Sequence, residues 1–268
     1  MGRVKGRKTM VQDYPQFDME LQVRYSETGT DGRARLSSVA DWFQEAAALN
    51  AADLGFGDEL VFSRGMTWIL TRLILYIEGL PAVGQTVRIR TWPAKMEHLG
   101  HRGYEVLDET GRPLVRATSA WTVMDLQTRR IVTMPDELLA AYPLKTLPCE
   151  PFSSRVLPRL RDAASSVPVL VRKDDLDMNG HVNNVRYLGW LLEGISSEDG
   201  SRIIPSVLDV SFRAECFPGE TLASRCSPAT GEDGAFGLVH GIMRAAGDGG
   251  DVCRAISRWR SRPVLHMP

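Results

Sequence analysis

What most limits how this chain can fold is that its second half repeats its first. Trp42 and Glu45 recur as Trp190 and Glu193, each 148 residues on. Gly32 and the pair Val23-Arg24 recur at the same spacing as Gly180 and Val171-Arg172. A second block, RATSAW at Arg116–Trp121, recurs as RAISRW at Arg254–Trp259, 138 residues on. The shortening falls where the first half carries an additional loop around Leu54–Gly65. A gapless Trp-x-x-Glu match and a second block in the same order argue for duplication. Whatever one half builds, the chain builds twice.

Each half reads as a strand, a helix and about four further strands. In the first half, Phe17–Tyr25 alternates apolar and polar residues, and Val39 to Asp53 carries a helical stripe of Trp42, Phe43, Ala46, Leu49 and Ala52. Ser37 or Ser38 is the expected cap of that helix. Strands follow at Thr67–Glu78 and Thr86–Trp92, then a hairpin of Gly103–Leu107 with Leu114–Met124, and a short helix at Asp136–Ala141. In the second half, strands are expected at Val167–Arg172, Val207–Ala214, Glu220–Cys226, Phe236–Arg244 and Val252–Trp259, with a helix running to Ile195. An antiparallel sheet wrapped around one buried helix satisfies this order, which makes the fold α+β. The 268 residues are ample for two such domains. They are expected at 11–145 and 167–264, with a proline-bearing linker over 146–166.

Chemistry is concentrated in DDLDMNGHVNNVRYLGWLLEGI, Asp174–Ile195. Asp175, Asp177, Asn179, His181, Asn183 and Asn184 stand directly before an apolar helical pattern of Val185, Leu188, Leu192 and Ile195. Asn183 or Asn184 is the expected N-cap. A helix start presents backbone N–H groups and the positive end of a dipole, which suits a developing oxyanion.

The remaining composition mainly excludes. A net charge of −1 argues against a chain built as a whole for nucleic acid. No apolar run reaches the roughly 20 residues of a membrane span. The basic start MGRVKGRKTM has no apolar stretch behind it and reads as an unstructured tail, not a secretory signal. Cys149, Cys216, Cys226 and Cys253 form no C-x-x-C pair, and reduced thiols in a cytoplasmic protein are the expectation.

The stretch DLDMNGHVNNVRYLGWLLE resembles the helix-opening motif of the acyl-acyl-carrier-protein (acyl-ACP) thioesterases, the fatty-acid-releasing enzymes of plant plastids and bacteria. WILTRL, the stretch Gly100–Arg130 and the block SFRAEC extend the resemblance over nearly the whole chain. It implies a tandem hotdog fold, no cofactor, and an acyl carrier protein as the partner that brings the substrate. It also implies a catalytic set of Asp177, Asn179, His181 and Glu215, with Cys216 as a possible additional member. A cysteine nucleophile would exchange one thioester for another and leave a second hydrolysis to perform. Glu215 is therefore the expected base toward water, with Asn179 and His181 positioning water or carbonyl and Asp177 orienting its neighbours. Gly180 departs from the plant motif, which typically has Gln there.

The first-half counterparts of Asp177, Asn179 and His181 are Gly29, Asp31 and Arg33, and Glu78 is the candidate counterpart of Glu215. One active site is expected, in the second half. The resemblance leaves the first half to hold the acyl chain, with Trp42, Phe43, Ala46, Trp68 and Leu70 as candidates beside a plain core reading. Asp177, Asn179, His181 and Glu215 make a poor metal set, so no metal is expected. Arg258, Arg260 and Arg262 would share a strand face, either a solvated edge or a docking face for an acidic carrier. The competing functions are an acyl-CoA thioesterase, a hotdog dehydratase acting on 3-hydroxyacyl thioesters, and a non-enzymatic acyl-thioester sensor. A monomer or a homodimer fits, because the tandem pair supplies the usual two hotdogs.

Overall fold

The computed structural model describes residues 6–11, 14–96, 98–143, 145–195, 203–230, 236–245 and 250–261. The chain divides into two compact units, residues 1–73 with 77–152 and residues 153–268 with 74–76.

The first unit runs β1 (Gly6–Val11), β2 (Tyr14–Gln22), α1 (Leu36–Asp53), α2 (Asp58–Ser63), β3 (Met66–Ile77), β4 (Thr86–Met96), β5 (Gly100–Leu107), β6 (Pro113–Asp125), β7 (Ile131–Val132) and α3 (Asp136–Ala141). Its strands lie in the order β1-β2-β4-β5-β6-β3, with β7 on β6. The second unit runs β8 (Ser165–Leu170), α4 (Asn184–Glu193), β9 (Ile203–Phe212), β10 (Thr221–Thr230), β11 (Phe236–Arg244) and β12 (Asp251–Ser261). Its order, β8-β10-β11-β12-β9, repeats β2-β4-β5-β6-β3 of the first. Neighbours are antiparallel, as in β4 with β5 and β11 with β12. This is the α+β tandem hotdog expected from the sequence.

The repeat extends to side-chain hydrogen bonds. In the first unit Trp121 Nε1 donates to Ser119 Oγ at 2.6 Å, and Tyr104 Oη meets the same oxygen at 2.9 Å. In the second, Trp259 Nε1 donates to Ser257 Oγ at 2.6 Å, and His240 Nε2 meets it at 2.7 Å. Register confirms the equivalence, since Tyr104 pairs with Ala117 and His240 with Ala255. One serine serving an indole and a second ring satisfies polar atoms that burial would otherwise leave unpaired.

Several local expectations are corrected. Helix α1 begins at Leu36, with Arg35 as N-cap and no side-chain cap. Ser38 lies inside the helix and its hydroxyl donates to the Glu27 carbonyl at 2.9 Å. Leu49 and Ala52 point outward, and Asn50 is the buried residue of that turn. Its side chain accepts from Arg102 Nη1 at 2.6 Å. In α4 the buried face is Val185, Tyr187, Leu188 and Leu191, and Leu192 is only half-buried, because the helix ends at Glu193 before a second stripe turn can form. Each fully buried Leu or Val is worth about 1.5–3 kcal/mol, so three or four residues hold this short helix to the sheet. Residues 6–11 of the supposed tail pair with β2 as a strand.

From Ser153 on, the proline-bearing connection is packed against the second unit. Leu157 and Leu160 are buried. Ser153 donates from both its backbone N and its hydroxyl to Asp209 Oδ2, at 3.0 and 2.5 Å, and Ala164 N donates to the Cys226 carbonyl.

Candidate active site

The stretch entering α4 is held by its own polar groups. After β8, a single 3-10 turn at Lys173–Asp175 is closed by the Asp175 carboxylate accepting from Arg172 N at 2.8 Å. A bridge between Leu176 and Val182 then pinches off the loop 177–181. Inside it Asp177 N donates to the His181 carbonyl and Gly180 N to the Asp177 carbonyl. Asp177 Oδ1 accepts from Asn179 N at 2.8 Å and His181 N at 3.3 Å, an Asx-type brace. Gly180 sits at φ 76°, where a side chain is strained, although nothing lies within 4 Å of the place a Cβ would occupy. Asn183 caps α4, its side chain accepting from Val185 N at 3.2 Å.

One backbone bond docks this loop on the segment after β9: Val182 N donates to the Cys216 carbonyl at 3.1 Å. The neighbours of those two residues, His181 and Glu215, then face each other, with Nδ1 and Oε1 3.7 Å apart. That exceeds a hydrogen bond and lies within ion-pair distance. Their side chains are 19% and 33% exposed, so solvent reaches the pair while protein lines much of it. The Phe217 ring meets the imidazole edge-on at 5.4 Å. Arg244, at the end of β11, fixes the backbone beneath the carboxylate: Nη2 donates to the Glu215 carbonyl at 2.7 Å and Nε to Glu220 Oε2 at 3.2 Å. Nothing in the sequence singled out Arg244 or Phe217, because both act through partners distant in the chain.

Of the residues expected at the site, the fold brings His181 and Glu215 together and turns Asp177 into the loop's brace. Asn179 is exposed on the same loop. Cys216 is fully buried, and burial pushes its thiol up from the ordinary range. A thiolate nucleophile needs exposure and a lowered pKa, and this cysteine has neither. Three backbone amides around the helix start are taken. Val182 N, Asn183 N and Val185 N are already engaged, by the Cys216 carbonyl, the Asp175 carbonyl and the Asn183 side chain. Among the described residues no three His, Cys, Asp or Glu side chains are grouped as metal ligands.

Glu78 is not the counterpart of Glu215. In the first unit Ala34 N donates to the Pro81 carbonyl, as Val182 N does to Cys216. That register places Leu80 opposite Glu215, while Glu78 is exposed at the end of β3. The acyl-chain candidates all lie in the first unit. Trp42, Phe43, Ala46 and Leu70 are buried there. Trp42 Nε1 donates to Glu27 Oε1 at 3.0 Å, and the Phe43 ring stacks on Tyr104 with centroids 4.7 Å apart. Trp68 is half-buried beside a cluster of Phe56, Val61, Met66, Val123, Met134 and Leu138, and its Nε1 donates to the Phe56 carbonyl. Arg258 and Arg260 are exposed, and Arg262 lies outside the described residues.

Comparison with known proteins gives this geometry its context. The family model for the acyl-ACP thioesterase N-terminal domain matches residues 15–142, and that for the C-terminal domain matches residues 160–261. The chain belongs to the acyl-ACP thioesterase family. Members of this family are thioester hydrolases, and so is this chain. It is 29% identical to oleoyl-acyl carrier protein thioesterase 1 of Arabidopsis thaliana, over 95% of this chain and 79% of that protein. It is 28% identical to a palmitoyl-acyl carrier protein thioesterase of Cuphea hookeriana, over 96% of this chain and 65% of that protein. Among solved structures, a putative oleoyl thioesterase from Lactobacillus plantarum superposes with a TM-score of 0.84 at 26% identity, covering 94% of this chain and 98% of that one. The 12:0-ACP thioesterase of Umbellularia californica gives 0.83 at 27% identity, covering 92% and 94%. Among the described residues of the thioesterase, no helix is long and apolar enough to cross a membrane.

Proposed function

We propose that this thioesterase hydrolyses fatty acyl-ACP to free fatty acid and carrier-protein thiol, using water activated by Glu215. The observation that carries the reading is the Glu215–His181 pair, 3.7 Å apart at the entry to α4 and open to solvent on one side. Glu215 takes a proton from water as the water oxygen attacks the thioester carbonyl. The tetrahedral intermediate carries its charge on the former carbonyl oxygen. The Asn179 side-chain amide and the His181 imidazole are the donors to that oxyanion. Collapse breaks the C–S bond, and the proton held by Glu215 returns to the leaving sulfur. Asp177 and Arg244 keep the loop and the Glu215 backbone in place through the hydrogen bonds given above.

In this reading residues 167–264 carry the chemistry and residues 11–145 receive the acyl chain, with Trp42, Phe43, Ala46, Trp68 and Leu70 shaping the space it enters. The carrier protein is the macromolecular partner, the compartment is the cytoplasm, and the protein works as a monomer or homodimer.

Thiol release from palmitoyl-, oleoyl- and dodecanoyl-carrier protein and the matching CoA thioesters tests the proposal. Glu215→Gln is expected to lower kcat by about 10²–10⁴-fold, the usual range for a general base, and Cys216→Ala to retain most of it. The reverse pattern would return the cysteine to the mechanism. Faster turnover of CoA than of carrier-protein thioesters would overturn the carrier assignment.

A further inference from the structure

The second unit carries a basic cavity on the sheet face that looks away from α4. Ser224 Oγ donates to the Trp190 carbonyl and Cys226 Sγ to the Gly194 carbonyl, so both side chains turn toward the helix. Arg225, between them in β10, therefore projects from the opposite face. The connecting segment crosses that face, with Leu160 packed over Gly241, the β11 partner of Arg225. A cavity of about 390 Å³ remains, lined by Arg159, Leu160, Arg161, Ala163, Arg225 and Met243.

Its charges do not balance. Arg225 Nε is buried with no hydrogen-bond partner, and Nη1 reaches only the soft Met243 sulfur at 3.8 Å. The acid beside the cavity, Asp251, is already engaged by Arg254 at 2.5 Å and by Arg159 at 3.3 Å. Asp162 is exposed and is not part of the lining. Arg161 and Arg225 thus bring two further guanidiniums to the cavity wall. A buried guanidinium N–H without an acceptor is costly to maintain, and an anion supplied from outside would relieve it. The planar fork of arginine fits phosphoryl oxygens, and several convergent forks match an anion with more than one charge and several acceptors. The volume lies within the roughly 300–1,000 Å³ of small-molecule sites, and Leu160, Ala163 and Met243 give it an apolar floor.

We propose that this cavity binds a phosphoryl group, separately from the acyl-thioester site. Arg225 and Arg161 grip the phosphoryl oxygens, and the floor accepts an organic portion when one is attached. Free phosphate and an organic phosphate share this chemistry, and the assay distinguishes them. Calorimetric titration of the full chain with pyrophosphate, adenosine 3′,5′-bisphosphate and adenosine, at fixed ionic strength, is the test. Either phosphate is expected to bind with Kd below 1 mM, and adenosine not to bind. Arg161→Ser, at an exposed position that folding does not depend on, is expected to weaken phosphate binding at least tenfold. Arg225→Met is expected to abolish it, with thioester hydrolysis unchanged in both variants. Pyrophosphate binding as tightly as the nucleotide supports the site with free phosphate as its source. Tighter nucleotide binding supports it with an organic phosphate. No phosphate binding to the unmodified chain, or equal binding to Arg161→Ser, overturns the proposal.

Discussion

The two halves build one loop twice and set a histidine against a carboxylate in only one of them. Gly29–Arg33 and Asp177–His181 follow the same kind of 3-10 turn, closed by Glu27 on Arg24 N in one and by Asp175 on Arg172 N in the other. Both are pinched by an antiparallel bridge, Thr28 with Ala34 and Leu176 with Val182. Both place a glycine at positive φ, 69° at Gly32 and 76° at Gly180. Both dock the next residue on the carbonyl of an approaching segment. The side chains differ. Where the second loop has His181 facing Glu215, the first has Arg33, whose guanidinium donates to the Leu80 carbonyl at 2.7 Å. Leu80 itself offers no carboxylate. The frame that holds the proposed catalytic pair is thus separable from the pair, and the first unit keeps it with Arg33 and Leu80 in their places.

The sharpest way to break this comparison is to write the first loop's chemistry into the second. The double substitution His181→Arg with Glu215→Leu should lower kcat/KM by at least about 10³-fold, within the range for removing a general base and its partner. The thermal midpoint should move by only a few degrees, since the first unit folds with those residues. A retained rate, measured by thiol release, would show that the reaction is located elsewhere.

A smaller difference separates the cores. His240 stands where the first unit has Tyr104, and burial pushes its imidazole down from 6.5 to about 4. The folded state therefore resists a proton that the unfolded chain accepts. Stability from this group is complete above pH 6.5 and is lost as pH falls from there toward 4, by roughly 3 kcal/mol over that window. Tyr104 carries no charge change in the same range. Denaturant unfolding of the full chain at pH 7 and pH 4.5 should show His240→Asn less acid-sensitive than the unmodified protein. Identical pH slopes would remove His240 from the account.

The smallest effect tests the backbone alone. Gly32→Ala and Gly180→Ala should each lose about 1–2 kcal/mol, because both glycines sit in the left-handed region and neither place is crowded. Only Gly180→Ala should also change kcat. Equal losses of rate would mean that the first loop contributes to turnover.

Much of this frame was legible in the sequence for a physical reason. The Trp and Gly that mark the duplication sit where the fold has little choice: Trp259 must find Ser257, and Gly32 and Gly180 must take positive φ. Asn183 was readable as a cap because the cap and the apolar turn it starts are adjacent in sequence. Strand β1 and helix α2 were not readable. GRKTMV has no alternation, and DELVFS is too short to show a stripe, so both depend on tertiary partners. Glu215 came from family likeness, not from spacing, and the first-half match to Glu78 was wrong because the β3–β4 and β9–β10 connections, equal in length, align at an offset of 135 and set Glu215 on Leu80. Arg244 left no local trace, since its purpose lies in a carbonyl 29 residues away.

The backbone bond between Val182 and Cys216 has a consequence for how such a protein can change over time. It lies one residue from each of His181 and Glu215, so their separation is set by a local clasp and not by the chain that connects them. Insertions, deletions and drift in that intervening stretch can accumulate without altering the spacing of imidazole and carboxylate. The first unit keeps the same clasp without the histidine and the carboxylate, so the joint is a frame on which chemistry can be changed by exchanging two side chains.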